Sequence, residues 1–122
     1  MELERLTLYR VENANRTGLY RASELACDVL SESTRHPMPY ADDGLTDYWD
    51  TIGYGKVVVH QFAFASLEQL KFWIYRASIR RALADAGLQV SVISAMGVAG
   101  DTQAVFLPET REDIEVLSLK EI

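Results

Sequence analysis

The alternation of apolar and polar residues at the start of the chain predicts a β-strand. In "RLTLYRVEN" (5–13), Leu6, Leu8 and Arg10 fall on one face of an extended backbone. The polar run "NANRTG" (13–18) then predicts a loop that closes on a glycine. The next residues carry a short apolar stripe at helical spacing, which predicts a helix over about 22–32.

Four later stretches complete the pattern. "KVVVHQFAF" (56–64) is nearly continuous in apolar residues and predicts a central strand. Ser66, with Gln69 three residues later, is a capping box that opens a long helix over 66–86, before Gly87. "LQVSVISAMG" and "TQAVFLP" predict two further strands, and "EVLSL" a last short one. We therefore expect an α+β fold.

The expected architecture is one twisted, mostly antiparallel sheet packed on the long helix 66–86, with the short helix at about 22–32 beside it. Trp73 and Ile74 would point from the long helix into the sheet. The length of 122 residues predicts a single compact domain over residues 1–122.

Composition and charge narrow the function classes. The chain is 48% hydrophobic, which is enough for a core and unlike a disordered protein. Its net charge of −6 argues against nucleic-acid binding but suits a basic protein partner. Cys27 is alone, so no internal disulfide forms. A charged start and short apolar runs predict a cytoplasmic protein without a membrane span. Homo-oligomers are compatible with all of this.

Two arginines and a histidine are candidates for binding a ligand. Arg10 and Arg21 each follow a tyrosine, and a guanidinium grips phosphate or carboxylate through two parallel hydrogen bonds. A charge at Arg10, on a face that otherwise carries leucines, requires a salt-bridge partner or a cleft. His36 precedes Asp42 and Asp43 and could act as a base. The spacing of these residues matches no metal motif, and we predict no metal site.

The stretch "TRHPMPYADDGLTDYWDTIGYG" (34–55) has weak periodicity and combines aromatic with acidic residues. A loop of this length in a compact domain is usually functional. Aromatic side chains beside aspartates suit a protein–protein contact, although the aromatic rings could instead fold back onto the core. The predicted protein-binding residues are Tyr40, Asp42, Asp43, Tyr48, Trp49 and Asp50.

The motifs "LYRVEN", "GLYRA", "FAFASLEQLKFWI", "QVSVISAMG" and "TQAVFLPE", in this order, resemble small phage-encoded accessory proteins of unassigned role. They are also similar to a reduced mono-ADP-ribosyltransferase core. That second resemblance implies an NAD site in which Arg10 and Ser66 take the first two motif positions. Gln103 stands where that family has a catalytic glutamate, and a glutamine cannot act as a base.

Since the catalytic set is incomplete, the leading hypothesis is not an enzyme. It is a phage or prophage accessory protein that binds and inhibits a host protein, such as a defence component, without a cofactor. One alternative is an NAD- or nucleotide-binding protein or ADP-ribosyltransferase-like enzyme, with Arg10, Arg21, His36, Ser66 and Gln103 at its ligand site. Another is a protein that sequesters a nucleotide signal through the same arginines.

Overall fold

The strands form one five-stranded antiparallel sheet in the computed structural model, which describes residues 2–23 and 37–122. The strands are β1 (Glu4–Glu12), β2 (Gln61–Ala63), β3 (Gln89–Ala99), β4 (Ala104–Phe106) and β5 (Glu112–Leu117). The four described helices are α1 (Leu19–Ala22), α2 (Thr46–Ile52), α3 (Leu67–Trp73) and α4 (Ala77–Asp85). The predicted α+β class is confirmed.

The long strand β3 organises the sheet. β1 pairs with one edge of β3 over almost its whole length, while β4 and β5 follow one another along the other edge. β2 lies beyond β4. Just after β2, Phe64 exchanges two backbone hydrogen bonds of 2.8 Å with Tyr9 of β1. Strands β1, β3, β4 and β2 therefore follow one another around a ring, and β5 stands outside it.

The predicted long helix is two helices. Ser66 caps α3 as expected, because its Oγ accepts a hydrogen bond from Gln69 N at 3.0 Å. The helix ends at Trp73, and Arg80 of α4 donates to the carbonyl oxygens of Ile74 (2.7 Å) and Tyr75 (3.1 Å). These bonds satisfy carbonyls that a continuous helix would have paired internally, so the break costs little.

The strand propensity of the run "KVVVHQFAF" does not determine its structure along its whole length. Only Gln61–Ala63 is strand, and Tyr54–Val59 forms consecutive 3-10 turns. The cause is tertiary contact, since Val57 packs against the cluster around Trp49 and His60 bonds to Tyr48. The predicted long loop holds 3-10 helices at Pro39–Ala41 and Asp43–Leu45, followed by α2.

Apolar side chains pack on both faces of the sheet. Trp73 and Ile74 are buried against Phe64 and Val90, as the helical spacing predicted. The opposite face of β1 and β3 carries a smaller cluster around Leu8 and Ile93. A third cluster packs α2 against the far end of β3 and includes Leu45, Trp49, Val98 and Val105.

The helix predicted at about 22–32 falls almost entirely outside the described residues, of which Ala22 closes α1 and Ser23 follows in extended conformation. Over residues 2–23 and 37–122, none of the helices is long and apolar enough to cross a membrane.

Candidate functional site

Arg10 is buried and paired with an acidic residue on its own strand. Arg10 and Glu12 are two residues apart on β1, so their side chains share one face. Arg10 Nε donates to Glu12 Oε1 at 2.9 Å, and Nη1 donates to the carbonyl oxygen of Phe62 at 2.7 Å. The guanidinium carbon also lies 5.9 Å from the centre of the Phe106 ring. The position that the sequence marked as needing a partner therefore has one.

A second arginine completes this arrangement. Arg111 donates from Nη1 to Glu12 Oε1 at 2.8 Å and from Nη2 to Glu12 Oε2, and Ser91 Oγ donates to Oε2 at 2.7 Å. We call Arg10, Glu12, Ser91 and Arg111 the charged brace. It ties β1 and β3 to the residue that precedes β5. Glu12 is 1% exposed, so these bonds operate away from solvent.

The charged brace shifts the proton affinities of its members. Burial opposes the charge on Glu12, but the hydrogen bonds from Arg111 and Ser91 and both arginine charges outweigh it, so the pKa of Glu12 lies below its usual range. Burial lowers the pKa of Arg10, and Glu12 counteracts this. Hydrogen bonding to Glu12 raises the pKa of Arg111. The shifts of Glu12 and Arg111 favour their charged forms, and the arginine donors are directed at the protein itself.

The other predicted ligand residues lie in different surroundings. Arg21 is exposed at the end of α1, and His36 lies outside the described residues. Ser66 Oγ caps α3. Gln103 is fully buried and donates from Nε2 to the carbonyl oxygen of Pro37 at 2.7 Å; its Oε1 has no hydrogen-bond partner in the described part of the chain. Each of Arg10, Ser66 and Gln103 bonds to a different group, and their joint binding of NAD stays a prediction.

Asp42, predicted to bind a protein, is a buried junction. Its Oδ1 accepts from Gly44 N (2.8 Å) and Asp101 N (2.9 Å), and its Oδ2 accepts from Thr102 N (2.9 Å) and Thr102 Oγ1 (2.7 Å). The three bonds from Asp101 and Thr102 attach the segment before α2 to the turn between β3 and β4, and the bond from Gly44 closes a local turn. Gly100 permits the close approach, because a Cβ there would lie 2.8 Å from both carboxylate oxygens of Asp42.

Tyr48 and Trp49 are buried too, which is the alternative that the sequence left open. Trp49 is fully buried and donates from Nε1 to the carbonyl oxygen of Pro39 at 3.0 Å. His60 Nδ1 lies 2.7 Å from the carbonyl oxygen of Lys56, so this nitrogen carries the proton. His60 Nε2 therefore accepts from the Tyr48 hydroxyl at 2.7 Å. These contacts fix the orientation of α2 on the sheet.

The remaining predicted contact residues are exposed and have apolar neighbours. Tyr40, Asp43 and Asp50 lie at the surface of this segment. Desolvation, followed by the charge and hydrogen bonding of Asp50, raises the pKa of the Tyr54 hydroxyl, which places Tyr54 beside Asp50. We call the following set the apolar–acidic surface: Met38, Tyr40, Asp43, Asp50, Tyr54, Val58 and Val59.

The elements that carry this surface pack against one another. The 3-10 helix Pro39–Ala41 packs against the 3-10 helix Tyr54–Val59, and α2 packs against the latter. Val58 is 86% exposed, which is unusual for a valine on a well-anchored segment. Among the described residues, no group of three or more histidine, cysteine and acidic side chains could hold a metal ion. The side chains of the surface are apolar, phenolic and carboxylate groups.

Sequence reasoning missed several of these residues. Glu12 and Arg111 were not singled out, although an Arg and a Glu two residues apart on one strand face are a readable sign of a pair. Val58 and Val59 were assigned to a buried strand. Their position soon after the glycines at 53 and 55 was the available sign of a turn instead.

Comparison with known proteins relates the chain to a protein family. The family model described as "Bacteriophage T4 Y00F protein" matches residues 1–120. No curated protein matches the chain, and no solved structure matches it.

Proposed function

The chain belongs to the bacteriophage T4 Y00F protein family, and from this membership we propose that it is an accessory protein of phage infection that binds and inhibits a host protein. The observation that carries the proposal is the apolar–acidic surface. Five of its members are large apolar or aromatic side chains that are about half exposed or more: Met38, Tyr40, Tyr54, Val58 and Val59.

An exposed apolar group of this kind costs solubility unless a partner covers it. Aromatic and methionine side chains are the residue types that contribute most to protein–protein contacts. Tyr40 and Tyr54 present rings with a polar hydroxyl, and Asp43 and Asp50 supply negative charge at the margin. The partner that this chemistry fits has an apolar pocket with lysine or arginine at its rim.

The rigidity of the support strengthens the proposal. Asp42 bonds the segment to the turn between β3 and β4, and the buried Trp49 bonds Pro39 and packs on the sheet, so the backbone that carries the exposed side chains does not have to be ordered at the moment of binding. Association then loses less conformational entropy than it would with a mobile loop. Binding inhibits the partner if it covers the surface through which the partner itself acts.

The proposal is tested by affinity capture from the bacterial host, followed by reconstitution with the purified captured protein. We expect Tyr54→Ala and Val58→Asp each to weaken binding at least about tenfold, the size of effect typical of a residue at the centre of a contact. The melting temperature should not change, because both side chains are exposed. Inhibition of the partner's activity should weaken in parallel with binding.

The matched control is Tyr75→Ala, which makes the same exchange as Tyr54→Ala at a half-exposed tyrosine between α3 and α4. Binding of the captured protein should survive that substitution. If Val58→Asp and Tyr54→Ala both retain full binding and inhibition, the apolar–acidic surface is not the contact. Binding without any effect on the partner's activity would retain the contact and remove the inhibitory role.

A further inference from the structure

β5 is an edge strand with an open side. It pairs with β3 through one edge, and no strand in the described part of the chain pairs with its other edge. Residues 112–116 are all exposed. The backbone N–H and C=O groups along that outer edge are therefore available to a further strand. By contrast, the two edges of β3 are occupied along most of its length.

The side chains of β5 combine apolar and acidic character. Ile114 and Val116 are 54% and 60% exposed, and they alternate with acidic residues in the sequence "EDIEVL". Two of the acids already have arginine partners: Glu112 lies 3.7 Å from Arg5, and Asp113 is bonded by Arg16 and Arg111. Glu115 forms no ion pair with any described residue and so leaves a free negative charge on the strand.

An open cleft of about 400 Å³ lies beside the strand. Its lining includes Ile114, Glu115 and Val116 of β5, and the acids Glu12 and Asp113 with their partners Arg16 and Arg111. A side chain from an added strand thus has apolar and carboxylate groups to contact in the same place.

We propose that the outer edge of β5 binds an extended segment of a partner protein in which basic and small apolar residues alternate. Main-chain hydrogen bonds to β5 would supply affinity, and contacts of the basic side chains with Glu115 and its acidic neighbours would supply specificity. This site is separate from the apolar–acidic surface and does not depend on the host-protein contact proposed there.

Charge decides between this occupant and a second copy of the chain. Pairing β5 with β5 would bring the unpaired Glu115 of one molecule close to the acidic strand of the other, and like charges across strands are destabilising. With a net charge of −6, two copies also repel each other at longer range. A basic segment would instead be attracted both by the acidic residues of β5 and by the net negative charge of the protein.

The test uses the full-length protein and a short synthetic peptide of alternating lysine and valine. Isothermal titration calorimetry at low salt should detect binding, and backbone amide NMR shifts and slowed hydrogen exchange should localise it to residues 112–117. Glu115→Lys should weaken the lysine peptide at least about tenfold and create binding of the matched glutamate–valine peptide. Glu68→Lys, which makes the same charge change on α3, should leave the lysine peptide bound as before.

Three results would overturn the proposal. One is a lack of peptide-induced change at the β5 amides. Another is equal weakening by Glu68→Lys, which would reduce the effect to overall charge. The third is concentration-dependent dimerisation of the free protein that Glu115→Lys strengthens, because β5 would then serve a second copy. Loss of host-protein binding in Tyr54→Ala affects none of these readouts, so this site and the apolar–acidic surface can fail independently.

Discussion

Glu12 and Asp42 are both buried carboxylates, but they are satisfied in opposite ways. Glu12 accepts from two arginines and one serine, so its charge is balanced by positive charge in the charged brace. Asp42 accepts from three backbone N–H groups and one hydroxyl, all of them neutral. The first junction joins strands that are far apart in sequence; the second joins two turns.

The difference bears on what each substitution leaves behind. Removing the charge of Glu12 leaves the buried guanidinium of Arg10 without a counter-ion and Arg111 with Asp113 alone, and the loss of one partner of a buried ion pair is among the costliest changes in a protein. Removing the charge of Asp42 leaves neutral donors, whose unpaired burial costs less per group. Both junctions serve the architecture, and the binding proposals therefore rest on the exposed residues.

The largest effect should come from Glu12→Gln. An amide keeps the size of the side chain but cannot compensate Arg10 and Arg111, so we expect a loss of about 3–5 kcal/mol in the free energy of unfolding. Urea denaturation followed by circular dichroism measures it. Glu4→Gln, at an exposed position on the same strand, should change stability by less than about 0.5 kcal/mol. Equal stability of the two variants would show that the charged brace contributes little.

Asp42→Asn should lower the free energy of unfolding by less, about 2–3 kcal/mol. The amide NH2 group cannot accept the hydrogen bonds that a carboxylate oxygen accepts at this place. The same denaturation experiment applies, with Asp43→Asn as the exposed neighbour that should remain near wild type. A cost above that of Glu12→Gln would reverse the ranking of the two junctions and the electrostatic reason given for it.

Gly100→Ala probes how tightly the Asp42 junction is packed. The new Cβ would meet Leu45 Cγ at 2.7 Å and the Asp42 oxygens at 2.8 Å, so we expect a loss of about 1–2 kcal/mol from overpacking. Gly55→Ala is the control, since no atom lies within 4 Å of its added Cβ. Thermal denaturation that separates the two variants by less than a degree would indicate a junction that yields easily.

The smallest expected effect is a difference between wild type and Glu12→Gln in how the free energy of unfolding depends on pH. Because the folded-state pKa of Glu12 is lowered, its contribution to stability is complete above its unfolded pKa, near the ordinary value of 4.5, and is lost as the pH falls through the folded pKa. Wild type should therefore lose more stability than Glu12→Gln on acidification below about pH 4.5. If chemical denaturation at each pH gives parallel curves of stability against pH for the two proteins, the acid-dependent loss of stability does not come from Glu12.

The sequence predicts those parts of the fold that depend on residues close to one another along the chain. Alternation located β1, and the pairing of Ser66 with Gln69 located the start of α3, because both signals act within a few residues. The break at Ile74 was missed, since it depends on a bond from Arg80 that only the folded chain forms. For the same reason, the sequence could nominate Asp42 and Trp49 as polar and aromatic residues of a loop but could not tell that both are buried. Their partners, Thr102 and Pro39, come from other turns.

The pairing of β1 with β3 sets the order in which the chain can assemble. Glu12 lies opposite Gln89, so β1 waits for the synthesis of β3 before its main partner exists. Phe64, which bonds to Tyr9, is available earlier and closes a shorter loop. Contacts this distant in sequence slow folding. Until β3 has been synthesised, β1 can bond to the segment around β2 through the Tyr9–Phe64 bridge and the hydrogen bond from Arg10 to Phe62, and the charged brace can form only once Arg111 has been made.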